Sequence, residues 1–125
     1  MNLGPLEKDI MEIFWTSEKS DARTIYEKLN KSRDIAYTTV NTTLSRLYEK
    51  KLLRRRTVKG RGGLRYIYWS SDSKKEYVRS TIDDTIGILL SQFGKATIQY
   101  FSDNFNLSKD DIKVLERRLE ELQNE

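Results

Sequence analysis

The chain has 125 residues, 37% of them hydrophobic and 34% charged, with a formal charge of +4 and a pI near 9.3. It contains neither cysteine nor histidine, which excludes disulfides, thiol nucleophiles, imidazole bases and the usual zinc or copper ligands, so neither a metal nor a cofactor is expected. No apolar run reaches membrane-spanning length and residues 1–3 do not open a signal peptide, so a cytoplasmic protein without membrane contact is expected.

The first periodic segment is LGPLEKDIMEIFW at 3–15, with Leu6, Ile10, Ile13 and Phe14 on one face, Pro5 at a first helical position and Glu7 in the first turn. After a polar stretch from Thr16 to Ser20, Asp21 caps a second helix carrying Ala22, Ile25, Tyr26 and Leu29. A link from Asn30 to Asp34 leads to 36–50, where Val40, Leu44 and Leu47 recur at helical spacing. Its threonines favour a strand, but the adjacent polar pairs Thr38-Thr39 and Thr42-Thr43 break strict alternation, and the segment reads as a helix. The period then changes. LLRRRTV (52–58) and LRYIYW (64–69) are strand-like runs joined by KGRGG (59–63), which reads as a β-hairpin with a glycine-rich tip.

Past a linker from Ser70 to Ser73, the pair Ser73 and Glu76 makes a capping box. The helix it opens carries Val78, Ile82, Ile86, Leu89 and Phe93 on one stripe, interrupted by Gly87 as either a close-contact point or a weak spot. A shorter helix covers Ala96 to Phe101. Ser108 and Asp111 make a second box before Ile112, Leu115, Leu119 and Leu122, spaced like a short coiled-coil seam. The expected fold is mostly α with a small β-hairpin wing: a winged helix-turn-helix head at 1–72 and a helical dimerisation region at 73–125.

On a wheel of the third helix, Thr38, Asn41, Thr42, Ser45 and Arg46 face outward or flank the apolar stripe. Short polar side chains allow close approach to a major groove, where hydroxyls and amides reach phosphates or base edges and Arg46 can pair with guanine. A solvated face of locally satisfied threonines is the alternative for this helix taken alone. The hairpin adds weight to the first reading. Between 46 and 65 stand nine cations against the single anion Glu49, whereas 103–125 holds seven acids against four bases. Arg54, Arg55 and Arg56 alternate along a strand and cannot all point one way, so Arg55 is expected to pack inward. Tyr66, Tyr68 and Trp69 are read as packing aromatics rather than base-stacking platforms, and Trp15 and Tyr26 as core. The stripes after residue 73 can fold back on the head or meet a second subunit. The head already has a core of its own, which favours dimerisation. The acidic pairs Asp83-Asp84 and Asp110-Asp111 do not resemble a paired acid and base, so no enzyme is expected.

LEKDIMEIFW, AYTTVNTTLSRLYEKKLL at 36–53, RYIYW and LSKDDIKVLERRLEEL resemble the penicillinase-repressor (BlaI/MecI/CopY) family over nearly the whole chain. The likeness is strongest at Tyr37, Thr38, Thr39, Val40, Thr42, Leu44, Arg46, Leu47 and Lys50. The resemblance implies a homodimeric repressor of a palindromic operator, with Thr38, Thr39, Asn41, Thr42 and Arg46 on the reading helix. Three departures bear on biology. Lys51 stands where the family has glycine. Without cysteine, the copper-responsive mechanism of one branch is not available. The Asn-Phe bond cleaved in the antibiotic-responsive branch corresponds to Tyr100-Phe101, with Asn104-Phe105 four residues later, so a β-lactam response is not expected.

The combined expectation is a homodimer on double-stranded DNA. Its DNA-binding residues are Tyr37, Thr38, Thr39, Asn41, Thr42, Ser45, Arg46, Lys50, Arg54, Arg56, Lys59, Arg61 and Arg65. Its dimer contacts are Val78, Ile82, Ile86, Leu89, Phe93, Phe101, Ile112, Leu115, Leu119 and Leu122. The competing reading is a winged-helix module for protein contacts without sequence-specific DNA binding.

Overall fold

The computed structural model describes residues 3–60 and 62–124. Arg61, with its expected DNA contact, lies outside the described residues. The chain divides into two compact units, a head ending at Tyr77 and a C-terminal unit, Val78–Glu125.

The head runs α1 (Pro5–Thr16), β1 (Ser20–Asp21), α2 (Ala22–Asn30), α3 (Tyr37–Glu49), β2 (Leu53–Gly60) and β3 (Gly63–Ser70). Its core takes Ile10, Met11 and Phe14 from α1, Ala22, Ile25 and Leu29 from α2, Val40, Leu44 and Leu47 from α3, and Leu53 and Tyr68 from the sheet. Met11 is buried although the wheel of α1 did not select it, and Leu6 and Ile13 are only partly buried. The cause is that α1 meets both α3 and β3, which moves its buried face toward Met11. Trp15 and Tyr26 pack against the core rim.

Asp21 caps α2 as expected, its carboxylate accepting the Thr24 N–H at 2.9 Å. It also belongs to a strand that sequence periodicity could not reveal. Ser20 and Asp21 pair antiparallel with Tyr68 and Ile67, so the hairpin becomes a three-stranded sheet in the order β1-β3-β2. Two residues are too few to carry a period. The hairpin is also longer than expected, because Gly60 pairs with Gly63. Gly62 and Gly63 have φ of +85° and +114°, values that side chains resist.

The C-terminal unit is built from α4 (Lys74–Phe93), α5 (Lys95–Asn104) and α6 (Lys109–Gln123), the first turn of α4 belonging to the head. Both capping serines act as expected, Ser73 accepting from the Glu76 N–H at 3.2 Å and Ser108 from the Asp111 N–H at 3.0 Å. Its core is small. Leu90, Ile98 and Leu119 are its buried apolar side chains among the described residues, with Ile86, Ile112, Leu115 and Leu122 packed around them. Those last four and Leu119, expected at a dimer contact, pack within the chain, where the four are only partly buried. The stripe of α6 needs cover, and α4 and α5 of the same chain supply it. Gly87 is a close-contact point: the Arg118 guanidinium lies over it and donates to the Asp83 carboxylate and carbonyl at 2.7 and 2.6 Å. A Cβ on Gly87 would stand 2.9 Å from Arg118 Nη2. Outward, Val78, Ile82, Phe93 and Tyr100 remain exposed. Leu89, Phe93, Ala96, Thr97, Tyr100 and Phe101 line an apolar groove of about 350 Å³. Among the described residues no helix is long and apolar enough to cross a membrane.

Recognition-helix candidate α3 ends in a Schellman turn, with the Leu52 N–H donating to the Leu47 carbonyl and the Lys51 N–H to that of Tyr48, both at 3.0 Å. The turn needs a left-handed residue, and Lys51 supplies it at φ +66°. Lysine therefore takes the backbone shape glycine would take, at a steric cost of about 1–2 kcal/mol. Lys51→Gly should raise stability by about 0.5–1 kcal/mol in urea denaturation while leaving the fold unchanged, because the relief of strain exceeds the added freedom of the unfolded chain. A destabilised Lys51→Gly would show that the lysine side chain has a role the turn geometry does not require.

Candidate nucleic-acid interface

Val40, Leu44 and Leu47 are fully buried, which fixes the rotation of α3 and turns Thr38, Thr39, Asn41, Thr42 and Arg46 outward. Ser45 is half-buried beside them. Two of the four threonines satisfy their own donors: the Thr42 hydroxyl donates to the Thr38 carbonyl at 2.9 Å and that of Thr43 to the Thr39 carbonyl at 2.7 Å. Thr43 can therefore be buried. Exposed Thr42 keeps an accepting oxygen and a methyl, the two features a major-groove edge can use.

Tyr37 is half-buried, its ring edge-on to Tyr26 at 5.8 Å and covered by the Arg23 guanidinium at 4.5 Å. It is a packing residue at the start of α3. Lys50 is also engaged, donating to Glu7 Oε2 at 2.7 Å, while Glu7 Oε1 accepts the Gly4 N–H at 3.1 Å. One carboxylate thus ties the start of α1 to the end of α3. The bond from Lys50 holds the Glu7 carboxyl below its ordinary value near 4.5, with the Gly4 N–H and Arg46 helping against partial burial.

The sheet register sorts the wing cations. Directly opposed residues share a face, so Leu53, Arg55, Thr57 and Lys59 stand with Ser70, Tyr68, Tyr66 and Leu64 on the face that packs on the helices. Arg54, Arg56 and Val58 stand with Trp69, Ile67 and Arg65 on the other. Arg55 packs inward as the alternation required, its guanidinium between the rings of Tyr48 and Tyr66 at 3.8 and 3.9 Å. The stack joins the last turn of α3 to β3, a cation–π sandwich worth about 1–2 kcal/mol at a partly desolvated site. Tyr48 as a platform was not foreseen, since nothing in its spacing marks it. Tyr68 is buried, as expected for a packing aromatic, whereas Trp69 lies on the outer face with Lys19 Nζ 4.8 Å from its ring centre. Arg65 donates to Asp21 at 3.0 Å and is thereby tied to β1.

The structure therefore places Thr38, Thr39, Asn41, Thr42, Ser45 and Arg46 together on α3. Lys59 shares the sheet face of Arg55 and Tyr68, and Arg54 and Arg56 lie on the opposite one. Tyr37, Lys50 and Arg65, expected as DNA contacts, are held in contacts within the head. Among the described residues no group of three or more acidic side chains converges as a metal site.

Three helices, an exposed polar third helix and a hairpin wing define a winged helix-turn-helix of the kind found in transcriptional regulators. The chain belongs to the penicillinase repressor family, whose profile matches residues 3–121. It is 23% identical over 116 residues to the penicillinase repressor of Staphylococcus aureus, covering 92% of this chain and 88% of that one. It is 44% identical over 52 residues to the transcriptional regulator BlaI of Mycobacterium tuberculosis, a match spanning 41% of this chain and 38% of that relative's length. Among solved structures, a possible transcriptional regulator from Methanosarcina mazei Go1 matches with a TM-score of 0.53 at 21% identity over 74% of this chain and 80% of that one. Bacillus subtilis PadR in complex with operator DNA matches with a TM-score of 0.51 at 12% identity over 98% and 94%. These two likenesses show a shared fold.

The Glu7–Lys50 pair gives a pH prediction. Glu7 is depressed in the folded state, so its stabilisation is complete above about pH 4.5 and is lost as pH falls through the folded value. Lys50→Met should cost roughly 0.5–1.5 kcal/mol at pH 7, and the gap from the parent should narrow as pH is lowered below about 4.5, read by urea denaturation across that range. A gap that does not narrow with acid would assign the effect to the lysine stem instead.

Proposed function

We propose that this chain is a homodimeric repressor that binds a palindromic DNA operator, with α3 in the major groove and the wing on the adjoining backbone. The observation that carries the reading is the division of α3 into a fully buried aliphatic face and an exposed face of short polar side chains with one arginine. Such a face fits a groove and lacks the apolar surface that a protein partner would cover. Thr38, Thr39, Asn41, Thr42 and Ser45 line the groove contact, Arg46 pairs with a base, and Lys59 holds a phosphate beside it. Arg54 and Arg56, on the outer face of the wing, add to the positive field that attracts DNA.

Dimerisation is supported by the C-terminal unit. Its few buried apolar residues make a weak core for its size, while Ile82, Phe93 and Tyr100 are 56%, 60% and 61% exposed. A second copy would cover Val78, Ile82, Leu89, Phe93 and Phe101. Two heads on a two-fold axis then read half-sites one helical turn or more apart.

Fluorescence anisotropy against DNA from upstream of the protein's own gene, or a sequence selected from a random pool, tests the reading beside a shuffled control. Preference of about 10³-fold or more, with steep salt dependence on both, is the expected result. No binding at low salt to any of them would sink it in favour of a protein-interaction module. Arg46→Ala should weaken the preferred sequence by about 1–3 kcal/mol and barely change the shuffled one. Phe93→Glu should convert the dimer to a folded monomer in sedimentation equilibrium and lower operator affinity. A Phe93→Glu chain that stays dimeric would place the subunit contact elsewhere.

A further inference from the structure

Arg23 lies in the first turn of α2 and is exposed. Its guanidinium carbon stands 4.5 Å from the centre of the Tyr37 ring and 5.8 Å from that of Tyr26. Tyr26 in turn meets Tyr37 edge-on, at 85° between planes. The three side chains form one cluster at the start of α3. Among the described residues Arg23 makes no ion pair. The neighbouring carboxylate, Asp21, is occupied by the Thr24 N–H and by Arg65.

A guanidinium stacked on a ring is held through its face, and its N–H donors remain free at the edge for a planar, two-oxygen acceptor. When a helix-turn-helix docks, the N-terminal residues of the second helix enter the major groove while the first helix crosses the sugar-phosphate backbone. Arg23 belongs to that first helix and rests on the residue immediately before Thr38. Building on the operator reading above, we propose that Arg23 clamps a backbone phosphate beside the base pairs read by Thr38, Asn41 and Thr42. Tyr37 is its platform, a positioning residue rather than a DNA contact. This accounts for an aromatic residue at a helix start, where capping chemistry asks for none.

A stack that serves only the packing of α2 on α3 makes a different prediction, and salt separates the two. Affinities of the full chain for the preferred and shuffled duplexes are measured across salt concentrations for the parent, Arg23→Gln, Arg23→Lys, Tyr37→Phe and Tyr37→Leu. Arg23→Gln should weaken both duplexes equally, about five- to tenfold near 0.1 M salt, and reduce the slope of log affinity against log salt by about 0.9. Arg23→Lys should keep the parental slope. Tyr37→Leu should move in the direction of Arg23→Gln, and Tyr37→Phe, which keeps the ring, should match the parent. An unchanged slope in Arg23→Gln on a parent that binds overturns this inference alone, including when the melting temperature falls. Weakened binding by Tyr37→Phe overturns the platform role. A parent that binds neither duplex overturns the operator reading as well.

Discussion

Burial of Val40, Leu44 and Leu47 beneath α3 is the constraint on which the head depends. Each such side chain contributes roughly 1.5–3 kcal/mol when removed from water, or about 5–9 kcal/mol together. Four threonines in the same helix cost about 2 kcal/mol against alanine in helix propensity. Burial wins, the segment is helical, and its rotation follows. Thr38, Thr39, Asn41, Thr42 and Arg46 face water because the opposite face has nowhere else to go. The exposed polar face is thus a consequence of core packing, with residue types at its positions free to serve recognition.

The stretch from Arg46 to Lys59 carries a second lesson, about charge. It is densely cationic, yet its cations divide into those that hold the head together and those left for a partner. Lys50 joins α3 to α1 through Glu7, Lys51 bends the backbone into the wing, and Arg55 bridges Tyr48 and Tyr66. These contacts tie α3 to α1 and to the hairpin. Arg46 remains exposed on α3, Lys59 is exposed in β2, and Arg54 and Arg56 lie on the opposite side of the sheet from Arg55.

In the C-terminal unit the same forces stop short. α6 spends its aliphatic stripe on Leu90 and Ile98 of its own chain, and the Arg118 clamp over Gly87 secures α6 to α4. What remains uncovered is the outer stripe of α4 and the groove it shares with α5. Two apolar surfaces on one small unit compete for cover, and the chain by itself satisfies one of them.

Periodicity in the sequence determined the three head helices, the hairpin, the later helices and both serine caps, because each of these is written in residues close together along the chain. The polar face of α3 was legible for the same reason, since three buried aliphatics at helical spacing leave only one orientation for the rest. Tertiary structure decided what depends on distant partners. Ser20 and Asp21 become a strand only because β3 lies beside them. Lys50 and Arg65 look like free cations until Glu7 and Asp21 are brought to them across 43 and 44 residues of chain. Strand alternation indicated that one arginine of Arg54-Arg55-Arg56 must turn inward, but only the fold supplied Tyr48 to receive it. The stripe of α6 could have faced its own chain or another, and in the fold it packs with Leu90 and Ile98. Sequence records what each side chain can do; which partner it meets, and which charges stay exposed, is settled by the path of the chain in space.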